Sequence, residues 1–256
     1  MKSLIIYFKI FIPLVFLLCS CNGKQEIKND LDEMNLNGKV KSIRKKSFSV
    51  EKKFGEILAK DKLLVMQTKF NKKGNKTKWT IYKLNGSISS KTKYIYNDKD
   101  QLIESNSYNS DGSLDYKYKY QYNENGRLIT RNKYNIEGQL KTKQKYKYDE
   151  YGKETESVKY DSNGKFEKKE LYEYDKKGNR AMIKYYNNKD ELSGKYTFKY
   201  NEKGIKSERC KYNSNDSLIW KYSYEYKFDN QDNWIKKIEF HKGKPEYIIK
   251  REIIYY

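Results

Sequence analysis

The chain has 256 residues, with 55 lysines and arginines against 34 aspartates and glutamates, a formal charge of +21. A mean hydropathy of −1.10 and a hydrophobic content of 36%, in a chain with 27 tyrosines, exclude a conventional aliphatic core. The single histidine, His241, excludes a zinc site or a histidine-based triad, and arginine at only six positions argues against a nucleic-acid reader, which favours the arginine fork.

Residues 1–20 read as an export signal. Lys2 and Lys9 precede the apolar run from Ile10 to Leu18, which is too short to span a bilayer and suits a secretory core. The run closes in Leu18-Cys19-Ser20-Cys21, which resembles the lipobox of bacterial lipoproteins. That resemblance implies cleavage before Cys21, a diacylglycerol thioether on its sulfur and an acyl group such as palmitate on its new amine. The chain is then attached to a membrane of the cell envelope, expected to be the outer membrane, on a side the sequence leaves open. Cys210 is the one cysteine left unmodified, so no intramolecular disulfide is expected. Residues 21–33 read as a polar tether, and residues 34–65, with Phe54-Gly55-Glu56, as irregular capping strands.

From residue 66 to 227 one phrase recurs every 26 residues, with a second copy between each pair: an aromatic, Asn or Asp, two free positions, then Gly or Asp. The first series starts at Phe70, Tyr96, Tyr122, Tyr148, Tyr174 and Tyr200, and the second at Tyr82, Tyr108, Tyr134, Tyr160, Tyr186 and Tyr212. Asn accepts a backbone hydrogen bond and Gly takes positive φ, so each phrase is a hairpin turn; Asp at 100, 190, 216 and 232 tolerates the same backbone region. Between turns the side chains alternate with period two, as in Leu114, Tyr116, Tyr118, Tyr120 and Tyr122 against Asp115, Lys117, Lys119 and Gln121. The expected fold is all-β: an elongated, twisted antiparallel meander of hairpins, about a dozen strands and roughly 55 Å long. Residues 228–256 read as a C-terminal capping hairpin carrying Trp234, Phe240 and Ile253.

Tyrosine columns through Tyr94, Tyr120, Tyr146 and Tyr172 replace part of the missing aliphatic core. If they also serve a ligand, Tyr120, Tyr146 and Tyr172 form the candidate binding surface, with Trp234 where the pattern breaks. The lysines either cover an open sheet against edge association or meet an anionic glycan. No nucleophile elbow, metalloprotease or phosphate-loop phrase occurs, and the paired carboxylates Asp149 with Glu150 and Glu154 with Glu156 read as turn residues or cross-strand ion pairs. No catalytic residue, metal or cofactor is expected.

Tyr122-Asn123-Glu124-Asn125-Gly126-Arg127-Leu128 and Tyr174-Asp175-Lys176-Lys177-Gly178-Asn179 resemble the YD repeat of the RHS family, over roughly residues 66–234. The whole chain resembles the short YD-repeat lipoproteins of Gram-negative bacteria. The resemblance implies a wound sheet of successive hairpins and supplies no functional residue. The functional expectation is a membrane-anchored, non-enzymatic binding or scaffold protein that recognises a glycan or an envelope protein. The alternative is a structural module that pairs with an envelope protein through its edge strands.

Overall fold

The computed structural model describes residues 29–256, which hold one short helix, α1 (Asp30–Glu33), and sixteen strands. The first eight are β1 (Val40–Lys53), β2 (Glu56–Phe70), β3 (Lys76–Tyr82), β4 (Ile88–Tyr96), β5 (Leu102–Tyr108), β6 (Leu114–Tyr122), β7 (Leu128–Tyr134) and β8 (Leu140–Tyr148). They are followed by β9 (Glu154–Asp161), β10 (Phe166–Tyr174), β11 (Arg180–Tyr186), β12 (Leu192–Tyr200), β13 (Lys206–Asn213), β14 (Leu218–Phe228), β15 (Trp234–His241) and β16 (Lys244–Tyr255).

The turns form where the repeated phrase falls. Asn123 illustrates the mechanism: its carbonyl accepts from Gly126 N at 2.9 Å, and its Oδ1 accepts from Arg127 N at 2.9 Å. Gly126 has φ of 75°, and Asp100, Asp190, Asp216 and Asp232 take φ of 58° to 62° in the equivalent place. Each turn is flanked by a register shift, for example between Gln121 and Tyr122 against β7.

Two fold expectations are overturned. The sheet is not an open, elongated meander: it closes into a sixteen-strand antiparallel barrel in which β1 pairs with both β2 and β16. The chain ends are not irregular caps either. They are long strands that pair with each other, from Val40 opposite Tyr255 to Ser49 opposite Tyr247. The physical reason is the edge: an open meander leaves two rows of unpaired backbone groups, and mutual pairing of the ends satisfies both. A closed ring is also not the wound sheet that the YD-repeat resemblance implied.

One face of the sheet turns inward. Cross-strand pairing carries it continuously from Tyr120 opposite Arg131, through Tyr146 opposite Ser157, to Tyr196 opposite Lys211. Tyr172 on this face is buried, and its hydroxyl lies 2.9 Å from that of Ser157. The opposite face carries the exposed Lys119, Lys141, Lys145 and Lys147.

The first tyrosine series also locks the ring. Tyr122, Tyr148, Tyr174 and Tyr200, with Tyr226 one period further on, each donate a hydroxyl to the carbonyl twenty residues earlier, at 2.6 to 2.9 Å, so each of these hairpins is tied to the one before it. At the β4–β5 hairpin Tyr96 instead donates to Asp30 Oδ2 at 2.9 Å, which brings α1 into the mouth of the barrel.

Residues 29–37 therefore act as a plug. Asn29 caps α1 through a reciprocal capping box, and Leu31 and Leu36 join Val40, Ile43 and Phe70 in a buried hydrophobic cluster at this mouth. At one end Asn29 packs on Gly74 of the β2–β3 turn, and at the other Asn35 Nδ2 donates to Gly204 O of the β12–β13 turn at 3.3 Å. In a round sixteen-strand barrel those turns would stand about 30 Å apart. The helical span from Asn29 to Asn35 covers only about 9 Å before side chains are added. The mouth is therefore drawn well inside a circle.

Candidate functional site

Outside the barrel, the second tyrosine series and one lysine row face each other across strands. Lys91 stands opposite Tyr108, Lys117 opposite Tyr134, Lys143 opposite Tyr160, Lys169 opposite Tyr186 and Lys195 opposite Tyr212. The tyrosine rings are half-exposed. Lys91, Lys169 and Lys195 lie 5.3, 4.4 and 5.2 Å from the ring centroids of their partners, and Lys119 and Lys145 approach Tyr134 and Tyr160 at 5.8 and 5.5 Å. Lys169 and Lys195 are also paired with the turn carboxylates Asp190 and Asp216, at 2.6 and 2.7 Å, whereas no described carboxylate lies within ion-pair distance of Lys117 or Lys143. The result is a belt of alternating cation and ring, repeating every second strand.

That outer surface does not suit hydrocarbon. Lysine on the lipid face of a barrel costs about 2–4 kcal/mol at the midplane, and this wall presents lysine on most of its even strands. Many strands have seven to nine residues, and seven residues tilted as in a barrel reach only about 18 Å, short of the roughly 25 Å apolar band of a membrane barrel. No described helix is long and apolar enough to cross a membrane. The wall thus lacks, among the described strands, the continuous apolar band of a membrane barrel.

The lumen is aromatic and partly cationic. Tyr120 meets Ser105 Oγ at 3.1 Å, and burial raises the pKa of its phenol. Burial also pushes Tyr94, Tyr122 and Tyr146 up to about 12, with Arg131 opposing the shift at Tyr146. Burial likewise raises Tyr172, which hydrogen-bonds Ser157 and Glu170. Tyr120, Tyr146 and Tyr172 thus line the inside of the ring. Trp234 lies at the plugged mouth, 5.8 Å from the Tyr226 ring and with the Arg251 guanidinium 3.4 Å from its own centroid. Cys21 and the export signal lie outside the described residues.

Two features escaped the sequence reading. Lysine recurs every 26 residues at 91, 117, 143, 169, 195 and 221, a period as strict as that of the tyrosines and visible in the sequence. Its pairing with the second tyrosine series depends on strand register. The other is Lys45 beside Arg251 in the lumen, brought together by the pairing of β1 with β16. No local pattern joins residues so far apart. Among groups weighed for chemistry, Glu154 is taken by Arg180 at 3.2 Å and Glu156 by Lys147 at 2.8 Å, while His241 stacks on Tyr222 with centroids 4.9 Å apart.

No protein-family model matches the sequence, and no curated protein matches it. Among solved structures, a porin-like protein from Bacteroides uniformis is similar over 84% of this chain and 96% of its own, at 12% identity and a TM-score of 0.56. A porin-like protein from Bacteroides vulgatus aligns over 81% and 97% at 11% identity and a TM-score of 0.36. The TcdB2-TccC3-TEV structure aligns over 80% of this chain and 11% of its own at 14% identity and a TM-score of 0.33. The first likeness shows the fold class, a closed antiparallel barrel. With no family model matching and a closed ring in place of a wound sheet, the assignment to YD-repeat or RHS-repeat lipoproteins is corrected.

Proposed function

We propose that this chain is a non-enzymatic envelope protein, held to the outer membrane by lipid on Cys21, whose water-exposed barrel binds an anionic glycan along its outer belt. The observation that carries the reading is the register of five lysines directly opposite five outward tyrosines. A tyrosine ring offers an apolar face to a sugar ring and the neighbouring ammonium meets its carboxylate, so each pair suits one acidic sugar. Successive pairs are two strands apart, about 9.6 Å along the sheet, close to the length of a disaccharide. The porin-like name of the Bacteroides uniformis barrel accords with an envelope location. The scaffold alternative through edge strands is not retained, because among the described strands each is paired on both sides.

Binding of the purified protein to immobilised polygalacturonate tests the reading, with polyglutamate as a polyanion that lacks sugar rings. The double variant Lys117→Gln, Lys143→Gln is expected to bind polygalacturonate roughly fivefold more weakly, at about 0.5 kcal/mol per half-exposed charge. Tyr134→Ala with Tyr160→Ala is expected to weaken polygalacturonate retention and leave polyglutamate unaffected. Equal behaviour of the two polymers in the tyrosine variant would refute recognition of a glycan. The anchor has its own test: Cys21→Ala should move the protein from the membrane fraction to the soluble one and abolish labelling by an alkynyl fatty acid.

A further inference from the structure

On the lumen face Lys45 of β1 and Arg251 of β16 are direct cross-strand partners. Like charges placed opposite each other repel, and a buried charge without a partner is costly, so a natural pair of this kind needs an explanation. No described carboxylate pairs with either. Glu239, the acid that acts on Lys45, is held by Lys237 at 2.6 Å, and Glu252 pairs with Lys46 on the outer face. The Arg251 guanidinium rests on the Trp234 ring, and its Nε is buried without a hydrogen-bond partner. Desolvation lowers the pKa of both half-buried cations, and at Lys45 the neighbouring charges of Lys237 and Arg251 add to it while Glu239 opposes it.

Beside the pair lies a cavity of about 460 Å³, roofed by Met34 of the plug and walled by Ile43, Met66, Trp79 and Tyr94. Lys76 also borders it but is neutralised by Asp30 at 2.8 Å. The cavity is thus apolar on most sides, with two uncompensated cations at one place, and its size is that of a small-molecule site. The Tyr94 phenol, protonated at neutral pH as any tyrosine is, adds a hydrogen-bond donor to this wall.

We propose that the lumen beneath the plug binds a small amphiphile with one anionic head, the head on Lys45 and Arg251 and the apolar body along Met34, Met66 and Trp79. This site faces inward and is independent of the outer belt. A carboxylate there would supply the missing counter-charge, and the apolar walls would bury the chain or ring behind it.

Calorimetric titration of the full-length protein with decanoate is the test, with decanol as the same body without charge and acetate as the same head without a body. Saturation at one decanoate per chain is expected, with decanol and acetate at least tenfold weaker. Lys45→Met and Arg251→Met are each expected to weaken decanoate at least tenfold, and decanoate should raise the melting temperature of the wild type but not of Lys45→Met. Arg251→Met also removes the contact with Trp234, so Lys45→Met decides if the arginine variant does not fold. Absence of decanoate binding, equal binding of decanol, or undiminished binding by Lys45→Met would each overturn the proposal. Polygalacturonate retention by the same variants should be unchanged, so failure here leaves the outer belt standing.

Discussion

At the scale of single residues, the two tyrosine series do different work although the sequence writes them alike. Tyr148 donates to Leu128 O at 2.8 Å across neighbouring strands, whereas Tyr134 lies outward opposite Lys117. Tyr148→Phe should cost about 1 kcal/mol in urea unfolding, because a half-buried carbonyl loses its donor, while Tyr134→Phe should cost nearly nothing. Equal losses would mean that the hydroxyl does not tie the hairpins together. Gly194 is a second sensitive residue: at φ of 148° an added Cβ would meet the Tyr212 carbonyl oxygen at 2.4 Å. Gly194→Ala should therefore destabilise by about 2 kcal/mol or more, unlike Gly138→Ala, which meets open space and strains only the turn.

At the scale of elements, hairpins and strand faces were legible in the sequence because their causes are local. Asn and Gly set the turn within five residues, and period-two alternation separates Tyr116, Tyr118 and Tyr120 from Lys117 and Lys119. The plug was not legible, since Asn29 to Asn37 read as the end of a polar tether and the start of a cap. Its polar anchor is Asn233, almost wholly buried, which accepts from Asn37 N at 2.9 Å and donates to Asn37 O at 2.9 Å. Asn233→Ala should cost about 1–3 kcal/mol, because it orphans the Asn37 backbone, and should increase amide exchange at Leu31 and Leu36 more than at Tyr146. Uniform exchange across the barrel would show that the plug is not a separable element.

At the scale of the molecule, closure was illegible for the opposite reason. It depends on pairing residues 40–49 with 247–255, within the two stretches in which the 26-residue pattern fails. Nothing periodic predicts that they match. Closure in turn gives the tyrosine face an inside, and an inside has a consequence in alkali. Lumenal Tyr94, Tyr122 and Tyr146 have folded pKa values of about 12, raised first by burial, against about 10 in an unfolded chain. A raised folded pKa contributes stability that is complete below pH 10 and is lost as pH rises toward 12, because the unfolded chain releases those protons first. Lys45 and Arg251, lowered by burial, act in the opposite sense, but the raised tyrosines outnumber them. Circular dichroism should hold constant to about pH 10 and fall cooperatively between 10 and 12. The tyrosinate absorbance of the lumenal set should rise with that fall. If this absorbance instead rises well below the loss of β signal, the lumen admits water freely and the burial that raises these tyrosines is refuted.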